Sequence, residues 1–226
     1  MKQFSKDKEF HRFANSEFNL SSSNLDYYNK QVESSMTPYI LEEREMRVTQ
    51  MDIFSRLMAD RLLWVAGPVN DNMSTIVQAQ LMFLSSNSTE DIKMHIDSPG
   101  GSVKSGLSMV DVMEYIPNDI ITINTGMSAS MGSVLLGAGT KGKRSSLRHS
   151  RTMLHQSSGG FSGNIQDAAV DWIEWQKIND ELFGLLGKYC NKKAEQVKKD
   201  ATRDFWLTAQ EALAYGIIDD VISPKR

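Results

Sequence analysis

Ser130 lies in the run Gly126-Met127-Ser128-Ala129-Ser130-Met131-Gly132, 25 residues before a histidine that ends an apolar, strand-like stretch, Thr152-Met153-Leu154-His155. A serine hydroxyl is a poor nucleophile until a base takes its proton, and histidine is the side chain best suited to do so near neutral pH. Small neighbours permit a sharp turn into the helix suggested by Met131 to Ala138, and a helix start presents free N–H groups to a developing oxyanion. A second donor is offered by the turn Ser98-Pro99-Gly100-Gly101, so Gly101 and Met131 are the candidate oxyanion donors. Ser128 is the rival nucleophile, but Ser130 sits closer to the helix start. Among the four histidines, His11 falls in an N-terminal segment, His95 shares a polar strand face with Lys93, and His149 stands in a turn-like stretch, leaving His155 as the base. The third member of a triad is a carboxylate that fixes the imidazole tautomer. Asp204, within Thr202-Arg203-Asp204-Phe205-Trp206-Leu207, is preferred because its apolar neighbours are expected to bury it, whereas Asp171 and Asp200 read as acids on solvated helix surfaces, although spacing alone leaves several carboxylates open.

Other motifs carry less. Gly137 to Lys143 imitates a phosphate loop, but Arg144 replaces the magnesium-binding hydroxyl and the segment follows a helix instead of a strand, so it reads as a basic turn. Cys190 at a helix end has no histidine partner in sequence and reads as a spectator thiol. No His/Cys cluster has metal-ligand spacing, so neither a metal nor a bound cofactor is expected.

The elements that must hold these residues alternate. Leu62 to Val65, Ile92 to Ile96 and Ile120 to Ile123 read as strands; Asn72 to Leu84 reads as a helix with Ile76, Ala79, Gln80 and Phe83 bracketing one face. A helix through Leu107, Val110, Val112 and Met113 follows the glycine turn. This order predicts an α/β fold with a largely parallel sheet and right-handed crossovers, and active sites in such sheets lie beyond the strand carboxyl ends. Ile165 to about Cys190 forms one long helix, longer than a compact domain needs, so part of it is expected to pack on another subunit. Thr208 and Glu211 form a capping box, Gly216 ends that last helix, and Val221-Ile222 suggests a closing strand.

The chain of 226 residues carries 25 Lys+Arg against 28 Asp+Glu, with a sequence pI near 5.8. That balance argues against nucleic acid as a partner, and no segment has the apolar length of a membrane span. A single cysteine and the lack of a signal-peptide core point to a reducing compartment, most simply the cytoplasm. Residues 1–36 differ from the rest, with scattered aromatic residues among charges and a Ser21-Ser22-Ser23 run, and read as a tail or pro-segment; residues 37–226 read as one domain.

Taken together, Ile53-Phe54-Ser55-Arg56-Leu57, Ser98-Pro99-Gly100-Gly101, Ala129-Ser130-Met131-Gly132, Lys141-Gly142-Lys143-Arg144, Met153-Leu154-His155-Gln156 and Arg203-Asp204 resemble the proteolytic subunit of the Clp protease, ClpP, over Met36 to Arg226. The resemblance implies the ClpP/crotonase-type fold with a protruding handle helix from Ile165, and two stacked seven-membered rings around a closed chamber. It further implies a serine endopeptidase acting on unfolded polypeptides fed by a hexameric AAA+ unfoldase, which consumes the ATP. It assigns Ser130 as nucleophile, His155 as base, Asp204 as orienting carboxylate, and Gly101 and Met131 as oxyanion donors. An extended substrate would pair with backbone at Gly101, Ser102 and Val103 and at Ser157 and Ser158. Ile40 to Met51 matches the axial-loop region that gates access.

Two departures stand out. Lys93 and His95 replace aromatic residues common in the unfoldase-docking pocket, and Ser157-Ser158 replaces the usual Pro-Leu after His-Gln. The first predicts weakened ATPase docking and leaves room for a mixed assembly with a ClpP paralogue. The competing functions are a crotonase-like acyl-CoA enzyme, against which the serine, histidine and aspartate argue, and a structural or activating ring subunit.

Overall fold

The computed structural model describes residues 39–44, 47–159 and 164–223. The proposed N-terminal tail lies outside them. The chain falls into two compact units, one ending at Arg56 and one beginning at Leu57. In the first, β1 (Tyr39–Arg44) and β2 (Arg47–Asp52) pair antiparallel, from Tyr39 opposite Asp52 to Arg44 opposite Arg47. The short helix α1 (Ile53–Ala59) crosses the boundary.

The second unit is built on a seven-stranded sheet. Its strands are β3 (Leu62–Ala66), β4 (Ile92–Ser98), β5 (Ile120–Ala129), β6 (Arg144–Leu147), β7 (Arg151–Leu154), β8 (Phe205–Thr208) and β9 (Asp220–Ile222). The path β3-β4-β5-β6-β9 is parallel throughout, and β7 continues parallel to the far end of β5 while β8 runs antiparallel to β7. The strands read from sequence fall on β3, β4, β5, β7 and β9, and crossovers through helices explain the parallel order.

Helices α2 (Asp71–Asn87), α3 (Val103–Tyr115) and α4 (Met131–Gly137) fill those crossovers. The core joins Leu63, Val65, Met94 and Ile96 of the sheet to Leu81, Met109, Leu135 and Leu136 of the helices. Burying each such side chain contributes about 1.5–3 kcal/mol. The face of α2 expected from sequence is corrected here: Ile76 and Phe83 are exposed, and Ser74, Val77, Leu81 and Leu84 face inward. Ser74 tolerates burial because its hydroxyl donates to Ser105 O at 2.8 Å and meets Ser108 Oγ at 2.9 Å.

Two arginines tie loops to this frame. The Arg61 guanidinium donates to Leu84 O, Ser88 O, Glu90 O and Asp91 O, closing the carboxyl end of α2. Buried Arg144 pairs with Asp219 at 2.7 Å and donates to Tyr189 O at 2.9 Å and Gly216 O at 3.1 Å, joining β6 to the chain that enters β9.

In the long helix α5 (Ile165–Cys190) the buried residues, Leu182, Phe183, Leu186, Gly187, Tyr189 and Cys190, all lie in the last turns. Ile165, Val170, Trp172 and Ile173 remain exposed on the single chain. Two short helices, α6 (Ala194–Asp200) and α7 (Ala209–Tyr215), complete the unit. The capping box of Thr208 and Glu211 and the left-handed Gly216 occur as their sequence predicts.

Candidate active site

Parallel pairing sets Ala129 beside Met153, so the end of β5 and the end of β7 emerge together. Ser130 is the next residue out, with its N–H donating to Met153 O at 2.9 Å. Its backbone sits at φ 54, ψ −122, a conformation normally left to glycine at the first corner of a tight turn. This corner redirects the chain into α4 and lifts the Ser130 side chain off the sheet, and the hydroxyl makes no capping hydrogen bond. Ser133 Oγ donates back to Ser130 O at 2.6 Å, bracing the corner from the first helical turn.

Ser128, the rival, is fully buried on β5 and its Oγ has no partner. A substrate cannot reach it. Alternation alone would leave both serines on one face of the strand; the corner at Ser130, with φ 54, is what separates them.

Antiparallel register places the carboxylate. Because Leu154 stands opposite Phe205, the next residue beyond each strand end is His155 on one side and Asp204 on the other. His155 Nδ1 lies 3.4 Å from Asp204 Oδ1. The burial expected for Asp204 is corrected here: its side chain is 63% exposed and that of His155 24%, because Trp206 turns outward and leaves the strand end open. The competing acids are elsewhere, since Asp200 accepts from Tyr215 Oη at 2.9 Å and Gln196 Nε2 at 2.7 Å, while Asp171 is exposed on α5. Ser130 and His155 line one small cavity, walled by Val103, Val134, Leu182 and Phe183. A wider depression runs from His155 past Ser158 to Arg203 and Asp204.

The glycine turn abuts Ser130. A Cβ on Gly100, which has φ +90, would lie 2.6 Å from Ser130 Cβ and 2.9 Å from Met131 N. Gly101 forms a parallel bridge with Val69 through Gly100 O and Ser102 N, and Ser98 Oγ takes Gly100 N–H at 3.1 Å. In a parallel bridge of that pattern Gly101 N–H points away from Val69. Ser102 caps α3 by accepting from Ser105 N–H at 3.2 Å. Ser157 N–H is taken by Asn179 Oδ1 at 3.3 Å, an engagement that sequence gave no means to foresee.

The remaining motifs resolve into structure. Lys143 binds Asp91 at 2.6 Å and Asp119 at 2.8 Å, which raises its pKa, and Gly142 N–H donates to Asp219 Oδ2 at 2.7 Å. The basic turn thus has carboxylate partners. Burial pushes the Cys190 thiol up to about 11, leaving it protonated. His95 stacks on Trp64 with centroids 4.9 Å apart and planes within 5°, and burial followed by the nearby Lys93 charge lowers its pKa. It stays a neutral aromatic ring on the sheet face, beside exposed Lys93.

A serine at a strand-to-helix corner and a histidine–aspartate pair across adjacent strand ends are the groups a serine hydrolase requires, set here on a mostly parallel sheet. The sequence model of the Clp protease family matches residues 43–225. The chain is 44% identical over 219 residues to the ATP-dependent Clp protease proteolytic subunit of Porphyromonas gingivalis, covering 96% of this chain and 99% of that one. It is also 44% identical over 218 residues to the subunits of the same description from Bacteroides fragilis and Bacteroides thetaiotaomicron, with the same coverage. The chain belongs to the Clp protease family, and its enzymatic class is that of the peptidases.

Proposed function

We propose that Ser130, His155 and Asp204 form the catalytic triad of a ring-protease subunit that cuts unfolded polypeptides. The observation that carries this reading is the shared strand register, which faces His155 with Asp204 and brings Ser130 out at the same sheet end. Ser130 Oγ attacks the scissile carbonyl carbon while His155 Nε2 takes its proton, and Asp204 holds Nδ1–H so that Nε2 is the free base. The oxyanion receives N–H bonds from Gly101 and Met131. His155 then returns the proton to the departing amine, leaving an acyl ester on Ser130. Water, deprotonated by His155, attacks that ester; collapse of the second tetrahedral intermediate releases the carboxyl product and restores Ser130. The Gly101 to Val103 edge and the backbone of Ser157 and Ser158, apart from Ser157 N–H, which Asn179 Oδ1 holds, align the extended substrate through main-chain bonds.

In the same reading α5 is the handle that joins two seven-membered rings, and the β1–β2 hairpin is the axial region through which a hexameric AAA+ ATPase feeds substrate. That partner hydrolyses the ATP, so this chain binds no cofactor. A paralogue sharing the rings and a cytoplasmic setting complete the proposal. No helix among the described residues is long and apolar enough to cross a membrane.

The test is hydrolysis of a fluorogenic short peptide by purified protein and by Ser130→Ala, with and without a serine-directed acylating reagent. The triad requires activity that the reagent stops and the substitution abolishes while the assembly keeps its mass. Wild-type activity in Ser130→Ala would overturn it. An inert wild type that still forms rings would favour the structural or activating subunit, and turnover of an acyl-CoA without peptide cleavage would favour the crotonase-like enzyme.

A further inference from the structure

The cavity shared by Ser130 and His155 has room for about one water, ≈ 20 Å³. A second cavity of ≈ 420 Å³ lies next to it, lined by Trp172, Trp175, Gln176, Asp180 and Lys198. Ser157 and Asn179 line both, so these two residues are the partition between them.

Hydrogen bonds hold that partition shut. Asn179 Oδ1 accepts from Ser157 Oγ at 2.9 Å and from Ser157 N–H at 3.3 Å, and Ser157 Oγ in turn accepts Trp175 Nε1–H at 2.7 Å. A backbone N–H can only donate, which fixes the Asn179 amide with its oxygen toward Ser157. Trp175 and Asn179 are one turn apart on α5, so a single helix face grips the segment two residues after His155. Gly159 lets that segment lie flat on the indole, since a Cβ there would stand 2.6 Å from the Trp175 ring. A proline at position 157 would have neither the N–H nor the hydroxyl, so it could not build this partition.

We propose that the Ser157–Asn179 partition, braced by Trp175, sets the size limit for the substrate side chain that precedes the scissile bond. This rests on the peptidase reading above. The side chain adjoining the attacked carbonyl must enter the cavity that Ser130 and His155 line, and that space takes a residue of alanine size. Leucine or phenylalanine there must displace the partition, breaking hydrogen bonds at a site that gives nothing in exchange. Removing the partition joins the small cavity to the large one and admits bulky residues.

The test uses the full chain, Asn179→Ala and Ser157→Pro, the second of which removes both Ser157 donors. Fluorogenic peptides differing only in Ala, Leu or Phe before the cleaved bond give kcat/KM ratios, which cancel any general loss of activity. Alanyl and phenylalanyl peptide phosphonates, with attachment to Ser130 read by intact mass, give the same comparison without turnover. Wild type should favour Ala over Phe by at least about tenfold, and each variant should narrow that gap by about tenfold. A wild type that takes Phe as readily as Ala, or ratios within about threefold of wild type in both variants, would overturn the partition alone. Absence of any attachment to Ser130 in all three proteins would overturn the peptidase reading itself, and the partition with it.

Discussion

Replacing Gly100 by alanine separates what the glycine turn does for the fold from what it does for chemistry. Two costs arise at this position. An L-residue at φ +90 is strained by about 1–2 kcal/mol. The new methyl also stands 2.6 Å from Ser130 Cβ, 2.7 Å from Ala129 O and 2.9 Å from Met131 N, against an ordinary carbon contact of about 3.5–4.0 Å. Two of those neighbours are backbone, so relief requires the turn or the nucleophile corner to shift by roughly 0.5–1 Å, an overpacking cost of about 1–3 kcal/mol. Gly67 is the matched control: its φ is +86 and nothing lies within 4 Å of a Cβ built there. Gly67→Ala should therefore lose about 1–2 kcal/mol and keep its peptidase activity. Gly100→Ala should lose about 2–5 kcal/mol in total and, while folded, about 10²-fold or more in kcat/KM, because both oxyanion donors flank the displaced atoms. Urea denaturation and hydrolysis of a fluorogenic peptide read the two quantities. A folded Gly100→Ala with activity within threefold of wild type would refute the placement of the oxyanion site between Gly101 and Met131.

Ser128→Ala should cost little stability and leave hydrolysis nearly intact, because it deletes a buried hydroxyl that has no partner; loss of peptidase activity in that variant would mark the wrong serine. Charged substitutions at Trp172 or Ile173 should halve the sedimenting assembly, since each places an unpaired charge in the face assigned to ring pairing, and an unchanged mass would remove that face. Burial works to raise the Asp219 pKa, but the hydrogen bonds and charge of Arg144, with Gly142 N–H, outweigh it and hold the carboxyl at about 2. A depressed carboxyl stabilises the fold above its unfolded pKa of about 4, and that contribution fades as the pH falls toward 2. The urea midpoints of wild type and Asp219→Asn should accordingly converge between about pH 5 and pH 2; a gap that stays constant would contradict the ion pair. Lys93→Tyr combined with His95→Tyr should tighten binding of a Clp ATPase without changing short-peptide hydrolysis, as seen by titration against one ATPase, with equal affinities refuting the pocket argument.

Local chemistry made Ser130 and His155 legible in the sequence, because a strand end before small residues and a strand end at histidine are both short-range signals. Asp204 was legible only as one acid among several. Its selection depends on β8 folding back on β7 across about fifty residues, and no periodicity within either segment states that register. The α2 face misled for a related reason: Ile76 and Phe83 stand at helical spacing, but so do Val77, Leu81 and Leu84, and the sheet takes that stripe together with Ser74, whose hydroxyl finds partners only once α3 is in place. The grip of Trp175 and Asn179 on Ser157 was likewise hidden, since each is an ordinary residue until the helix meets the strand end.

The backbone of Ser130 has one further consequence, for how this protein can age. At φ 54 and ψ −122 a glycine would rest without strain, whereas serine holds the corner at a cost of about 1–3 kcal/mol. Ser130→Gly should thus yield a dead subunit that outlasts the live one on heating. Stability alone would favour glycine at this corner, so on the proposed triad it is catalysis that calls for serine there. A copy of this chain relieved of cutting, and kept only to complete a ring, has a single-residue route to a sturdier fold.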